Sequence, residues 1–281
     1  MAILKTSFFS QSLIREVQIS VILPIDGMMG MPPRPERKFK TLYLLHGYSG
    51  ANSDWLHNSK IVELAQMLDI AVVMPSGENS FYVDQISPTA RYSTFIGEEL
   101  VYVTRRMLPL SRERDDTFIA GLSMGGYGAI YNGLKHFKTF GHIIALSAAL
   151  IGEEIKASDE TPNNLGTNRA YFEAVFGNLD DFDNTDKNVN LLAEQTLAAA
   201  KTAGLPLDLY IACGWNDFLL LPNRDFIAHL KAIGFAHTYD EGAGTHDFAF
   251  WDEYLKKGIT HILPLPVMDV KPPYWIEKPE D

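Results

Sequence analysis

The chain has a single cysteine, Cys213, among 281 residues. That excludes an intramolecular disulfide framework and any metal site built on several thiolates. Cations are scarce. There are 24 Lys and Arg against 35 Asp and Glu, a net charge of −11 with the histidines neutral. An acidic surface repels phosphate backbones, so nucleic acid is not an expected partner, and an anionic membrane surface is disfavoured for the same reason. No apolar run approaches the ~18 residues of a membrane span. The opening residues, Met1 to Thr6, lack a basic region ahead of a long apolar core. No signal peptide is read there, and the cytoplasm is the expected compartment. Internal repeats and low-complexity tracts are missing. No His-Glu-x-x-His spacing offers a zinc site, and neither a metal nor an organic cofactor is expected.

What is present is an ordinary globular composition, 46% hydrophobic and 21% charged, too apolar for a disordered chain. Short continuous apolar runs at 41–45, 70–74, 117–120, 143–146 and 207–212 have the length of strands covered on both faces. Helical periodicities at 60–68, 94–108, 126–137, 189–202, 222–233 and 247–262 alternate with them. This alternation predicts an α/β protein with a mostly parallel, doubly wound sheet. Residues 13–23 partly alternate, as a strand with one wet face does. Residues 27–35 hold Pro, Gly and Met and read as a loop joining two early antiparallel strands. The rhythm breaks at 150–188, an acidic, Asn- and Asp-rich insertion with one helix at 169–176; its length suits a lid as well as a solvated excursion. The expected division is one domain over 1–264 and an extended Pro-rich tail over 265–281, which could lie across the body or a neighbouring copy in a homo-oligomer.

The strongest local signal is Gly121-Leu122-Ser123-Met124-Gly125. It matches Gly-x-Ser-x-Gly and falls between a strand and a helix. A turn this tight requires small flanking residues, and it lifts the serine hydroxyl above the sheet beside the positive end of the helix. A serine N-cap on a glycine-rich turn is the plainer reading of the same residues. A serine hydroxyl needs a base to act as a nucleophile. Asp217 lies on the loop after strand 207–212. His246 lies on a glycine-rich loop after a strand at 235–241. Strand ends of a parallel sheet share one rim, so Ser123, Asp217 and His246 can meet there as nucleophile, acid and base. The rivals fit less well. Asp247 reads as a helix start, Asp208 lies at the wrong end of its strand, and Asp225 and Asp240 sit inside elements. A tetrahedral oxyanion needs donors. The N–H of Met124 and that of Tyr48, in His46-Gly47-Tyr48-Ser49-Gly50, are the two expected, with Gly47 allowing close approach. His46 reads as a buried histidine that hydrogen-bonds the loop backbone.

These motifs together resemble the esterase D-like branch of the α/β-hydrolases. The resemblance rests on residues 117–130, on Leu44-Leu45-His46-Gly47-Tyr48-Ser49-Gly50, on Asp54-Trp55, on Cys213-Gly214-x-x-Asp217-Phe218-Leu219, and on Gly244-Thr245-His246-Asp247-Phe248-x-x-Trp251. It extends over about 5–262 and is nearest to the tributyrin esterases of lactic acid bacteria and streptococci. The resemblance implies an α/β-hydrolase fold and serine carboxylesterase activity on short acyl esters, in some members on acetylated sugars. It assigns Ser123, Asp217 and His246 as the triad, and Tyr48 and Met124 as the oxyanion hole. A thioesterase of the S-formylglutathione hydrolase kind and a feruloyl-type esterase are the alternatives, and the loop at 27–38 and the tail depart from the tributyrin group. Trp55, Phe81, Tyr82, Tyr92, Trp215, Phe248 and Trp251 are candidate pocket walls. Trp215 and Trp251 stand out because they flank the acid and the base, and Gly47, in the oxyanion loop, joins them as a candidate substrate-binding residue. The expected partner is a small-molecule ester.

Overall fold

The computed structural model describes residues 1–26 and 37–263. Most of the loop at 27–38 and the tail from 264 therefore lie outside the described residues. The rest forms an eight-stranded sheet in the order β1-β2-β4-β3-β5-β6-β7-β8. Its strands are β1 (Ala2–Ser10), β2 (Arg15–Leu23), β3 (Thr41–Leu45), β4 (Ala71–Pro75), β5 (Thr117–Leu122), β6 (His142–Leu146), β7 (Asp208–Gly214) and β8 (Thr238–Gly242). The strands β3 to β8 pair with one another in parallel throughout. This is the α/β-hydrolase fold.

β2 and β3, the strands on either side of residues 27–35, run antiparallel as expected but are not neighbours: β2 pairs with β1 on one side and β4 on the other. β1 carries no clear hydrophobic period because it is an edge strand, with Ile3, Leu4 and Phe9 exposed. Such a strand is held by its backbone ladder more than by burial. β3, β4 and β5 are buried throughout, which is why they read as unbroken apolar runs.

Each face of the sheet has its own core. One is built from the helices Met124–Lys135, Val189–Ala203 and Leu220–Ile233, with Tyr127, Ile130 and Ile227 pointing inward. The other is built from Asp54–Asn58, Ile61–Leu68 and Phe248–Ile262, through Trp55, Ile61 and Leu255. Among the described residues no helix is long and apolar enough to cross a membrane. The insertion is anchored by an aromatic face. Phe172, Phe176 and Phe182 are buried, and Phe176 packs 5.1 Å from Phe81 and 6.0 Å from Tyr127, ring centre to ring centre. Arg169–Phe176 is helical as expected, and a further short helix, Gly152–Lys156, precedes it.

Candidate active site

Four loops leave the carboxyl ends of β3, β5, β7 and β8 on one rim, and they carry Tyr48, Ser123, Asp217 and His246. Ser123 sits between β5 and the helix Met124–Lys135 with φ +54° and ψ −118°, a conformation that few side chains adopt. The glycines around it are required by space. A Cβ on Gly121 would lie 2.2 Å from the Gly125 carbonyl oxygen, and one on Gly125 would lie 2.5 Å from the His46 carbonyl oxygen. The Ser123 N–H donates to the Leu146 carbonyl at 2.9 Å, and its own carbonyl accepts from Ala149 N–H at 2.9 Å. The strained turn is thus clamped to the end of β6.

The acid and base are brought together by backbone. Beyond the ends of β7 and β8, Trp215 N–H donates to the Gly242 carbonyl at 2.8 Å and Asn216 N–H to the Gly244 carbonyl at 3.0 Å. The two loops are zipped side by side, which places His246 Nδ1 2.9 Å from Asp217 Oδ2. His246 Nε2 lies 3.0 Å from Ser123 Oγ. The three residues that the sequence picks out therefore meet in one hydrogen-bonded line.

Asp217 is buried, and its environment fixes its charge. Burial alone raises its carboxyl. Hydrogen bonds from His246 and from the Leu219 N–H outweigh that and hold it below the ordinary carboxylate value. An ionised carboxylate only accepts, so the His246 proton sits on Nδ1 and Nε2 is left to accept from the serine hydroxyl. Asp247 is elsewhere engaged. It caps the helix Phe248–Ile262, accepting from Phe250 N–H at 3.0 Å. Asp208, at the far end of β7, lies 3.3 Å from His142.

The loop after β3 passes close beside the serine. A Cβ on Gly47 would lie 2.6 Å from Leu122 Cδ1 and 3.6 Å from Ser123 Cβ, so Gly47 permits the approach. Met124 opens its helix, so its N–H is one of the first four that no carbonyl of the same helix reaches. The loop is braced from behind. His46 is buried, with Nδ1 2.7 Å from the Gly47 carbonyl and Nε2 accepting from Gly77 N–H at 2.8 Å. Burial lowers its pKa and keeps it neutral. The Tyr82 hydroxyl donates to the His46 carbonyl at 2.9 Å, and Asn79 Oδ1 accepts from Ser49 N–H at 2.7 Å. Tyr171 of the insertion stacks edge-on against Tyr48 at 6.1 Å.

The aromatic walls divide. Trp55, Phe81, Tyr82 and Tyr92 are buried in the two cores. Phe248 is half-buried against Trp55 and Trp251. Trp215 is 58% exposed at the rim. Trp251 is only 6% exposed, and its indole N–H donates to Ser147 Oγ at 3.0 Å. It backs the His246 ring, edge to face at 4.9 Å, rather than lining open space. Two residues at the site escape the sequence reading. Phe218 is 70% exposed with its ring 4.6 Å from His246, and its position directly after Asp217 was the available signal. Ser147 follows β6 and so occupies the same rim as the other site residues. An open cavity of about 470 Å³ borders Phe218 and is walled by the insertion through Gly152, Ile155 and Phe182.

Comparison with known proteins gives the family and the fold. Residues 10–262 match the family described as "Putative esterase". An acetyl esterase of Caldicellulosiruptor saccharolyticus is 41% identical over 264 residues, spanning 91% of this chain and 96% of that protein. Among solved structures, a fluorophosphonate-binding serine hydrolase of Staphylococcus aureus superposes with a TM-score of 0.79 at 31% identity, covering 93% of this chain and 98% of that one. An S-formylglutathione hydrolase of the same organism gives 0.79 at 30% identity, with the same coverage. With a family match across nearly the whole described fold, the chain belongs to this esterase family and is a carboxylic ester hydrolase of the α/β-hydrolase fold.

Proposed function

We propose that the protein is a serine carboxylesterase for short acyl esters, acetyl to butyryl, acting through a Ser123–His246–Asp217 triad and an acyl-enzyme. The carrying observation is the line from Ser123 Oγ to His246 Nε2 at 3.0 Å and from His246 Nδ1 to Asp217 Oδ2 at 2.9 Å. In this reading Ser123 Oγ attacks the acyl carbon as its proton passes to His246 Nε2. Asp217 holds the tautomer and stabilises the imidazolium. The N–H groups of Tyr48 and Met124 receive the oxyanion. His246 then protonates the departing alcohol, and water repeats the sequence to release the acid. No step calls for a metal or an organic cofactor. The insertion at 150–188 serves as a cap on one side, a role supported by the Tyr171–Tyr48 contact. The reading includes a cytoplasmic protein, with nucleic acid disfavoured by the net charge of −11.

The acetyl preference draws on the acetyl esterase relative at 41% identity, and an acetylated sugar is a fitting alcohol. A second reading, thioester hydrolysis, draws on the S-formylglutathione hydrolase at 30% identity. The test is hydrolysis of p-nitrophenyl esters of rising chain length beside S-formylglutathione, with Ser123→Ala as control. A maximum between acetyl and butyryl, abolished in the variant, is the expected result. A dominant thioester rate selects the second reading, and full activity in Ser123→Ala overturns the triad.

A further inference from the structure

The turn that carries Tyr48 is held from two sides. His46 grips its first residue, Gly47. The second grip comes from the loop after β4, through Asn79. Gly50 N–H donates to the Gly47 carbonyl at 3.2 Å, which closes residues 47–50 into a turn. Its third residue, Ser49, has φ +60°, and Tyr48 is not among the residues at positive φ. That is the pattern of a type II turn, whose third position favours glycine. Serine stands there instead. Its side chain is exposed, and its hydroxyl makes no hydrogen bond among the described residues.

A serine at positive φ is strained and leaves that region unless something holds it. Here the backbone is held, because the Ser49 N–H donates to Asn79 Oδ1 at 2.7 Å. That N–H belongs to the peptide unit between Tyr48 and Ser49. The same unit must rotate if the turn is to relax to type I, in which the third residue has negative φ. The Asn79 side chain therefore blocks the relaxation.

An exposed side chain can do this only from a fixed base, and the base of Asn79 is fixed twice. Next to it, Ser80 is buried; its hydroxyl donates to the Gly77 carbonyl at 2.5 Å and accepts from Tyr82 N–H at 3.0 Å. The Asn79 carbonyl itself accepts from the Tyr171 hydroxyl at 2.7 Å. The Tyr171 ring lies against Tyr48, so the insertion, the Asn79 loop and the turn close on one another.

We propose that Asn79 is a positioning residue for the oxyanion hole, and that by accepting from the Ser49 N–H it keeps a strained turn in the one conformation that serves the Tyr48 N–H. The inference rests on the role proposed for Tyr48. Asn79 acts through Ser49 and not on the substrate, so its loss falls on turnover and leaves KM alone.

The experiment measures hydrolysis of p-nitrophenyl acetate by Asn79→Ala, Ser49→Gly and the pair, with Ser123→Ala beside them and melting curves for each. Asn79→Leu, similar in volume and without an acceptor, repeats the measurement where the alanine variant does not fold. Acylation and deacylation both pass through a tetrahedral oxyanion, so both slow together. Asn79→Ala is therefore expected to lower kcat about three- to tenfold at unchanged KM. The acid limb of kcat/KM stays in place, because His246 and Asp217 are untouched. Ser49→Gly is the deciding arm. Glycine takes positive φ without strain, so the turn no longer depends on Asn79. In that background Asn79→Ala is expected to cost at most about twofold, a rescue that a merely structural role for Asn79 does not produce. Wild-type kcat in Asn79→Ala, with the fold intact, overturns the proposal. So does an equal loss with serine or glycine at position 49, or a rise in KM with kcat unchanged, which puts Asn79 on the substrate. Retained activity in Ser123→Ala overturns the triad reading itself, whatever the Asn79 variants show.

Discussion

Two histidines stand on the same rim, and their neighbourhoods make them different devices. His46 and His246 both follow strands, and each has an acceptor at Nδ1 and a donor at Nε2. For His46 both partners are backbone, the Gly47 carbonyl and the Gly77 N–H. For His246 they are a carboxylate and a serine hydroxyl. A ring locked between backbone groups has no proton to gain or lose in a reaction, so it braces the loop. A ring between an ionised acid and a hydroxyl can take one proton at Nε2 while its Nδ1 proton stays bound. The tautomer is the same, and the chemistry differs because the partners do.

Removing the nucleophile or the base should break that comparison most sharply. Ser123→Ala and His246→Ala are each expected to lower kcat by ~10⁴–10⁶ without unfolding the chain, since neither side chain belongs to a packed core. Steady-state rates with circular dichroism check this, and an effect under tenfold in either variant contradicts the roles. Next comes the acid. Asp217→Asn should lower kcat by ~10³–10⁴, because an amide facing Nδ1 favours the wrong tautomer. If Asp247→Asn is the crippling change instead, the acid has been misassigned.

A smaller loss is expected from the brace. His46→Ala leaves the Gly77 N–H without its acceptor and frees the loop that carries Tyr48. A displacement of ~1 Å at a reacting centre can cost about a hundredfold, so a tenfold to hundredfold fall in kcat is expected while Ser123 and His246 stay in place. The pH dependence of stability sharpens the contrast. Burial depresses the His46 pKa below its ordinary 6.5, so protonation favours the unfolded chain. Its contribution is complete above about 6.5 and is lost as pH falls from there through the folded value. His136, half-buried and depressed by burial, acts in the same window. The melting temperature should drop between pH 7 and 5, less steeply in His46→Ala than in the wild type. An identical slope in the two proteins assigns the drop to other groups.

The smallest effect belongs to Asp247. Asp247→Asn keeps an oxygen for the Phe250 N–H and should leave kcat within about threefold. Asp247→Ala removes the cap and should lower stability by ~1 kcal/mol, read as a fall of a few degrees in melting temperature.

The parallel strands, the elbow serine and the order of acid and base are legible in the sequence for local reasons. Strands covered on both faces must be apolar throughout, and a turn as tight as the one at Ser123 must have glycine at 121 and 125, because any Cβ there meets backbone. Chain order along a parallel sheet then places the ends of β5, β7 and β8 on one rim. The edge strand β1 was not legible, because a strand paired by backbone and largely exposed needs no hydrophobic period. The fates of the aromatics were not legible either. Trp215 and Trp251 flank Asp217 and His246 alike in sequence, yet one lies exposed at the rim and the other is buried against the imidazole. What separates them is the helix Phe248–Ile262, whose packing on the sheet turns Trp251 inward to a hydroxyl on the end of β6. Local sequence determines which residues can bend, cap or pair. Which side chains meet across loops a hundred residues apart depends on how helices seat on a sheet, and that was decided only by the tertiary structure.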